Sequence, residues 1–318
     1  MLSAGQMQQF EEDGFLVVEN VIDRATVLDP VIAEYEEILD DLWKGWVDSG
    51  ALDATVSGDS FQERILKVYA AGLEYFQPMD ISLPPGAISE NTPFHAGPAI
   101  FRLMTDDRLL DVIESIIGPE ITSNPIQHVR IKPPSIDLRA DESRPHITST
   151  DWHQDRGVTL EEADESRIVT AWVAVTDATV ENGCLQVIPG SHRGEMATHC
   201  PKAGQLGIPA TIMAGRQTKP LPVGAGGVVL FHPLTIHSSL SNSSQGIRWS
   251  FDLRYNVTGD PTGRPMFPSF VARSASAPET VLNDPAEWHR MWEKARSQEA
   301  QQETTTIHRW SPNAAVCA

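Results

Sequence analysis

The chain has 318 residues, of which 41% are hydrophobic and 21% charged, a composition typical of a globular protein with a sizeable core. Asp and Glu (43) outnumber Lys and Arg (24), and the formal net charge of -19 argues against nucleic acid or an anionic membrane as a partner, since both bind clustered cations. The three cysteines, Cys184, Cys200 and Cys317, have no metal-type spacing, so they predict neither a zinc finger nor a disulfide scaffold, and a reducing compartment is the simpler interpretation.

The N-terminal residues are polar and acidic, and they lack the apolar stretch of a secretory signal. No apolar run is long enough to span a bilayer, and the last residues match neither the peroxisomal nor the prenylation pattern. We therefore expect a cytoplasmic protein.

The first third of the chain is predicted to be helical. A capping-box signature at Ser3 and a stop at Gly14 indicate a short helix. Apolar residues at helical spacing from 28 to 46 indicate a long amphipathic helix, and a third helix is expected from Asp106 to Ile117. Near the C-terminus, residues 285–297 have the pattern of a further helix.

Short β-branched or aromatic segments, separated by Gly, Pro, Asn and Ser, follow from about residue 120 to 257. The clearest is 247–255, where large apolar residues alternate with Arg248, Ser250, Asp252 and Arg254 at a period of two. This pattern predicts an all-β sandwich or barrel with the helices packed on one side. Two stretches, 134–149 and 199–223, are interpreted as long loops, and the final residues of the tail are expected to be loose.

His153 and Asp155 are separated by one residue, in a segment expected to be a strand. Residues i and i+2 of a strand point to the same face, so both side chains can reach one metal, while Gln154 points away or contacts a co-substrate. With His237 as a third ligand, two histidines and one carboxylate leave three positions open, as non-haem Fe(II) oxygenases require. A bidentate 2-oxo acid fills two of them, and O2 takes the third. By itself, a His-x-Asp pair among ten histidines is a weak signal.

A second segment strengthens this interpretation. Residues 226–239 and the strand containing Arg248 are predicted to form a hairpin that places Arg248 opposite His237. Because two cations alone would repel, the pairing makes sense with an anion between them, and a guanidinium matches the distal carboxylate of a metal-bound dicarboxylate. Ser239 lies on the same strand face as His237, and it is expected to donate a hydrogen bond to the distal carboxylate. Trp172 is either a core aromatic or a wall of the co-substrate site.

These residues resemble the phytanoyl-CoA dioxygenase-like family of Fe(II)/2-oxoglutarate oxygenases. The resemblance extends from the first helix to about Tyr255, and its matching stretches are Gln9–Phe15, Ile131–Pro134, His153–Asp155, Asn182–His192, and Phe231 through His237 to Arg248.

The resemblance implies a mainly β fold with flanking helices, in which a double-stranded β-helix (jelly-roll) core packs against N-terminal helices. It implies one oxygenase domain with a helical part (1–119), the jelly-roll core (120–257) and a C-terminal extension (258–318). It assigns iron to His153, Asp155 and His237, and contacts with 2-oxoglutarate to Gln154, Trp172, Ser239, Arg248 and His128.

The expected reaction is hydroxylation of a small molecule with release of succinate and CO2, although desaturation or ring formation starts from the same site. Asp155 disfavours a halogenase, because related halogenases lack this carboxylate. A non-oxidative jelly-roll isomerase or hydrolase, which usually has three or four histidine ligands, and a catalytically silent binding module are the alternatives. The substrate is not encoded in any motif. Arg156, Arg167 and Arg216 are candidates to face an anionic group on it.

Overall fold

The structure is a computed structural model that describes residues 1–53, 59–135, 150–202, 205–311, 313 and 315–317. Most of the predicted loop at 134–149 lies outside these residues. Among the described residues, no helix has both the length and the apolar character needed to cross a membrane.

The predicted helices are confirmed and others accompany them. Ser3 forms the capping box of the first helix, and Gly14 ends it in the left-handed conformation (φ 77°), where an added Cβ would collide with His192. The helices are α1 (Ala4–Asp13), α2 (Asp29–Asp48), α3 (Phe61–Ala70), α4 (Phe76–Met79), α5 (Pro98–Met104), α6 (Asp107–Ile117), α7 (Ala210–Met213) and α8 (Pro285–Glu299).

Two antiparallel sheets form the β core. The strands are β1 (Phe15–Val18), β2 (Ile121–Lys132), β3 (Ile168–Ala174), β4 (Leu185–Val187), β5 (Cys200–Lys202), β6 (Gln205–Gly207), β7 (Lys219–Leu221), β8 (Val228–Phe231), β9 (His237–Ser239), β10 (Arg248–Val257) and β11 (Phe270–Arg273). The major sheet has the order β1-β8-β3-β10-β2-β11, the minor sheet has the order β7-β4-β9, and β5 pairs with β6. The mainly β jelly-roll fold with flanking helices is therefore confirmed.

The major sheet has two chemically different faces. On the outer face, Trp249, Phe251 and Tyr255 of β10 join the large helical core, where Trp249 stacks on Phe61 at 4.8 Å and Tyr255 donates a hydrogen bond to the Met104 carbonyl. On the inner face, polar side chains that alternate with them line a cavity together with residues of the minor sheet. Burial of the apolar face against the helices therefore fixes which polar side chains of β10 face inwards.

Two expectations about loops and tail are wrong. The segment 199–223 is not a continuous loop, since it contains the β5–β6 hairpin, α7 and β7. The tail is not loose between residues 305 and 311: Thr305 pairs with Gly86, Arg309 forms an ion pair with Asp164, and Trp310 donates a hydrogen bond to the Gly157 carbonyl at 2.6 Å. The division into one domain with parts 1–119, 120–257 and 258–318 stays a prediction, although one apolar cluster runs from the N-terminal helices to α8.

Cys200 and Cys317 form a disulfide, and Cys184 is a buried free cysteine. The spacing did not reveal this pair because partners 117 residues apart cannot be recognised from sequence alone. The crosslink ties the end of the tail to β5, beside the cavity described below.

We predict that the oxidised chain, denatured without reductant, reacts with one equivalent of a thiol reagent, at Cys184, and with three equivalents after reduction. The matched variant Cys317→Ser should expose two thiols without reductant, because Cys200 loses its partner. Three reactive thiols in the unreduced wild-type chain would contradict the pairing.

Candidate metal centre and co-substrate cavity

His153, Asp155 and His237 converge on one point, and they are the one group of potential metal ligands of this kind found among the described residues. Asp155 Oδ1 lies 3.7 Å from His153 Nε2 and 3.8 Å from His237 Nε2, and the ligand atoms all lie within 4.8 Å of one another. Asp155 is buried, and the two imidazoles are largely so. Two nitrogen donors and one carboxylate oxygen on one side of a point form the donor set of a facial triad.

The backbone orients both imidazoles. His153 Nδ1 lies 2.8 Å from the Asp151 carbonyl, and His237 Nδ1 lies 2.9 Å from the Thr235 carbonyl. When each Nδ1–H donates to its carbonyl, the lone pair on Nε2 is left for a metal. Burial, followed by the neighbouring His237, lowers the pKa of His153 to about 3, so its imidazole is neutral at neutral pH.

The carboxylate of Asp155 is held from the other side. Arg254 Nη2 donates to Asp155 Oδ1 at 2.5 Å, and the Thr170 hydroxyl donates to Oδ2. Burial alone would raise the pKa of Asp155, but the Arg254 guanidinium and the two imidazoles hold it below its ordinary value. Asp155 is therefore ionised and fixed in orientation.

The local backbone differs from the predicted strand. His153 makes an isolated antiparallel bridge with His237, with two backbone hydrogen bonds of 2.9 Å, and Asp155 starts a 3₁₀ turn (Asp155–Val158). The bridge puts the two imidazoles directly opposite each other, with ring centroids 4.2 Å apart. The turn, rather than strand alternation, brings the carboxylate to them.

The predicted hairpin between His237 and Arg248 is wrong. His237 lies on β9, which pairs with β4 in the minor sheet, whereas Arg248 lies on β10 between β2 and β3 in the major sheet. The chain crosses between the sheets from residue 240 to 247, where Asn242 donates hydrogen bonds to the carbonyls of Lys132 and Gly246. Both side chains nevertheless line one cavity, because the sheets face each other.

Arg248 is buried and lacks a carboxylate partner among the described residues. One guanidinium nitrogen donates to Ser250 Oγ at 2.7 Å, Nε has no partner, and the group lies 5.2 Å from the centroid of the Trp172 ring. Burial lowers the pKa of Arg248 to about 10, which leaves it charged at neutral pH. Trp172 joins the core between the sheets and also lines the cavity, while its contact with a co-substrate stays a prediction.

Ser239 lines the cavity close to the buried Lys132. Its hydroxyl accepts hydrogen bonds from Lys132 Nζ (2.7 Å) and from the Thr150 amide (3.0 Å), and Lys132 Nζ also donates to the Leu240 carbonyl (2.6 Å). Lys132 lies directly opposite Arg248 on the β2–β10 ladder. Burial, followed by the Arg248 charge, lowers the pKa of Lys132 well below its ordinary value. The expected Ser239 contact to a co-substrate stays a prediction.

The structure does not bring Gln154 to the cavity. Its buried side chain donates to the Leu234 carbonyl at 2.9 Å and accepts from the Ala197 amide at 2.8 Å, so the geometry gives no support to the expected co-substrate contact. His128 does line the cavity, with Nδ1 2.8 Å from Asp80 Oδ2. Its role in co-substrate binding also stays a prediction.

One cavity of about 690 Å³ is lined by the inner faces of both sheets and by neighbouring loop segments. Its volume is in the range of small-molecule sites. Ile307 and His308 of the tail and Leu206 of β6 form part of its wall. Three arginines were candidates from the sequence to face an anionic group of the substrate. Arg156 donates hydrogen bonds to the carbonyls of Ala163 and Ser166 and does not line the cavity. Arg167 pairs with Asp260, and Arg216 is exposed.

Three residues that hold this site were not singled out from the sequence: Arg254, Thr170 and Lys132. Arg254 was visible as a member of the polar face of β10, but its partner was not, because Asp155 is 99 residues away. Thr170 lies directly opposite Arg254 on the β3–β10 ladder, so both contact the same carboxylate. Lys132 could have been suspected from the conflict between its charge and its position in a buried strand.

A model of the phytanoyl-CoA dioxygenase (PhyH) family matches residues 10–250. The chain is 28% identical over 257 residues to the peroxisomal phytanoyl-CoA dioxygenase of Bos taurus, covering 78% of this chain and 66% of that protein. It is 26% identical over 269 residues to phytanoyl-CoA dioxygenase domain-containing protein 1 of Bos taurus, covering 79% and 88%.

Solved structures confirm the fold at low sequence identity. The non-heme monooxygenase ThoJ superposes with a TM-score of 0.58 at 17% identity, covering 93% of this chain and 97% of its own. The non-heme alpha ketoglutarate dependent carbocyclase SnoK, from nogalamycin biosynthesis, superposes with a TM-score of 0.53 at 17% identity, covering 89% and 94%. The likeness is one of fold, and the two proteins, a monooxygenase and a carbocyclase, differ in their reactions.

We predict that Arg254→Met weakens metal binding 10- to 100-fold, as is usual when a group that orients a ligand is removed. Mn(II) affinity measured by calorimetry on the metal-free protein checks this. Arg254→Lys keeps the positive charge but loses the planar guanidinium. Its Mn(II) affinity should therefore lie between those of Arg254→Met and the wild type. The exposed variant Arg167→Met is the control, and equal Mn(II) affinity in all four proteins would show that Arg254 does not position Asp155.

Proposed function

Because the chain belongs to the phytanoyl-CoA dioxygenase family, we propose that it is a dioxygenase that hydroxylates an unactivated C–H bond of a small molecule, with release of succinate and CO2. Fe(II), 2-oxoglutarate and O2 are the metal and co-substrates of this oxygenase family. His153, Asp155 and His237 are proposed as the metal ligands, and Arg248 as the principal contact of 2-oxoglutarate.

One observation carries the proposal: a buried guanidinium with no carboxylate partner among the described residues lines the same cavity as the two histidines of the His-Asp-His donor set. Desolvating a charge costs several kcal/mol unless an opposite charge compensates it. A ligand with a chelating 2-oxo acid at one end and a carboxylate at the other satisfies both sites together.

The residues present fit this chemistry. Both imidazoles are aimed by backbone carbonyls, that of His153 is neutral, and the ionised carboxylate of Asp155 is fixed by Arg254 and Thr170. When bound, iron supplies the activation of O2 that couples decarboxylation of 2-oxoglutarate to oxidation of the substrate. The stacked Trp172 and the hydroxyl of Ser239 fix the other end of the co-substrate. The apolar walls exclude water from it.

The alternatives account for less of the site. A halogenase is disfavoured by the presence of Asp155. A non-oxidative jelly-roll metalloenzyme has no need of an unpaired guanidinium across from the metal. Desaturation and ring formation use the same metal and co-substrate, so product analysis separates them from hydroxylation. SnoK illustrates that this fold also supports a carbocyclase.

The proposal is tested by incubating the purified chain with Fe(II), ascorbate, O2 and 2-oxoglutarate, and by screening metabolites for a gain of one oxygen coupled to succinate. We predict that Asp155→Ala abolishes succinate formation, because the metal loses its anionic ligand. Asp260→Ala, which removes a partly exposed partner of Arg167, is the matched control and should retain activity. Full succinate production by Asp155→Ala would defeat the assignment.

We also predict that Arg248→Met weakens 2-oxoglutarate binding about 10- to 150-fold, the range expected for losing a charge-assisted hydrogen bond of ~1.5–3 kcal/mol. The apparent affinity is measured by anaerobic titration of the Fe(II) protein. Metal affinity should change little, since Arg248 does not contact the ligands. An unchanged affinity for 2-oxoglutarate would place the co-substrate elsewhere.

A further inference from the structure

A second arginine lines the cavity without an anionic partner among the residues that the structure describes. Arg264 is 3% exposed, and its Nη2 donates to the Val158 carbonyl at 3.2 Å, while Nε and Nη1 are buried without partners. Burial, followed by the nearby charge of Arg254, lowers the pKa of Arg264 to about 9, and it remains charged at neutral pH. Buried donors of a charged group are rarely left unpaired, because their desolvation is costly.

The backbone around Arg264 is fixed before any ligand binds. Gly263 has φ 78° and packs so closely that an added Cβ would meet Thr159 at 2.6 Å, while its carbonyl accepts the Leu160 amide at 3.1 Å. The Ser166 hydroxyl donates to the Pro261 carbonyl at 2.7 Å. Val158, which receives the Arg264 hydrogen bond, ends the turn that begins with Asp155. The backbone that carries Arg264 is therefore fixed, and its guanidinium lies beside the turn that begins with Asp155.

The carboxylates that line the cavity are engaged elsewhere. Asp80 bonds to His128 and Asp252 bonds to Arg130 at 3.0 Å. Asp155, close by, is taken by Arg254. Glu74 accepts a hydrogen bond from the Gln77 amide and is not an ion-pair partner of Arg264. No carboxylate among the described residues pairs with Arg264, and an anionic ligand bound in the cavity would supply the missing negative charge.

We propose that Arg264 binds an oxyanion, a carboxylate or a phosphate, on the oxidised substrate. This rests on the proposed function, in which 2-oxoglutarate occupies Arg248 and leaves Arg264 for the substrate. The remaining wall of the cavity is largely apolar, and its apolar members include Phe76, Leu83, Pro84, Ile126, Leu206 and Ile307. The substrate class that fits is an apolar molecule with one anionic group, held so that a C–H bond faces the metal.

The inference is tested by NMR of the full-length protein loaded with 2-oxoglutarate and with Zn(II), which prevents turnover and is diamagnetic. Sodium propionate, methyl phosphate and neutral propionamide are titrated while the arginine Nε–H signals are followed. Propionate or methyl phosphate should shift the Arg264 signal saturably, and propionamide should not. The stronger of the two anions identifies the group that the substrate carries. The proposal is overturned if the Arg264 signal shifts with neither anion, or if propionamide shifts it as much as the anions do.

Variants separate binding from structure. Arg264→Gln should weaken binding of the preferred anion at least about tenfold, Arg264→Lys should keep part of it, and Arg167→Gln should leave it unchanged. If Arg264 serves only to hold Val158, the wild-type signal does not move with either anion, whether or not the variants fold. The Arg248 signal reports 2-oxoglutarate binding in the same samples. If the Arg264 signal shifts with an anion but the Arg248 signal does not respond to 2-oxoglutarate, the proposed function is contradicted and this inference is not. If the Arg248 signal responds to 2-oxoglutarate but the Arg264 signal shifts with neither anion, this inference alone is contradicted.

Discussion

The site depends on one electrostatic constraint: an ion buried between the two sheets needs an opposite charge, because its hydration is lost. Asp155 and Arg254 satisfy each other, and Asp252 and Arg130 do the same. Arg248 has no such partner among the described residues, although it is buried as deeply. The described residues therefore leave the positive charge of Arg248 without a counter-ion in the cavity, and in the proposed function a bound dicarboxylate offsets it. Under that proposal, recognition of 2-oxoglutarate follows from the charge balance of the core.

Strand β10 connects this balance to folding. Its outer face packs Trp249 and Phe251 into the helical core, and its inner face holds Arg248 and Arg254. Because side chains alternate along a strand, a shift of register by one residue would exchange the two faces, burying the charges among the helices. The apolar packing that stabilises the domain thereby positions the guanidinium groups. The tail from Thr305 to Trp310 then closes one side of the cavity.

Local periodicity predicted much of this architecture, whereas the long-range pairings escaped it. The capping box at Ser3, α2, α6 and the alternation in β10 follow from spacing within a few turns or residues. The convergence of His153, Asp155 and His237 was anticipated, but for the wrong local reasons, since a bridge and a turn replace the strand and two sheets replace the hairpin. Sequence patterns did not predict the contacts of Arg254, the contacts of Arg264 or the Cys200–Cys317 disulfide. Each joins residues that are far apart in the chain, and a single sequence gives no local signal for such pairs.

The most direct measurement compares two ligands of nearly equal length on the wild-type Fe(II) protein under anaerobic conditions. 2-Oxoglutarate and 2-oxopentanoate offer the same chelating 2-oxo acid, but only the former has a second carboxylate. If the charge of Arg248 selects the co-substrate, 2-oxoglutarate binds at least about tenfold more tightly, as the loss of one charge-assisted contact requires. Equal affinity for the two ligands would contradict the account, because the buried guanidinium would then play no part in binding.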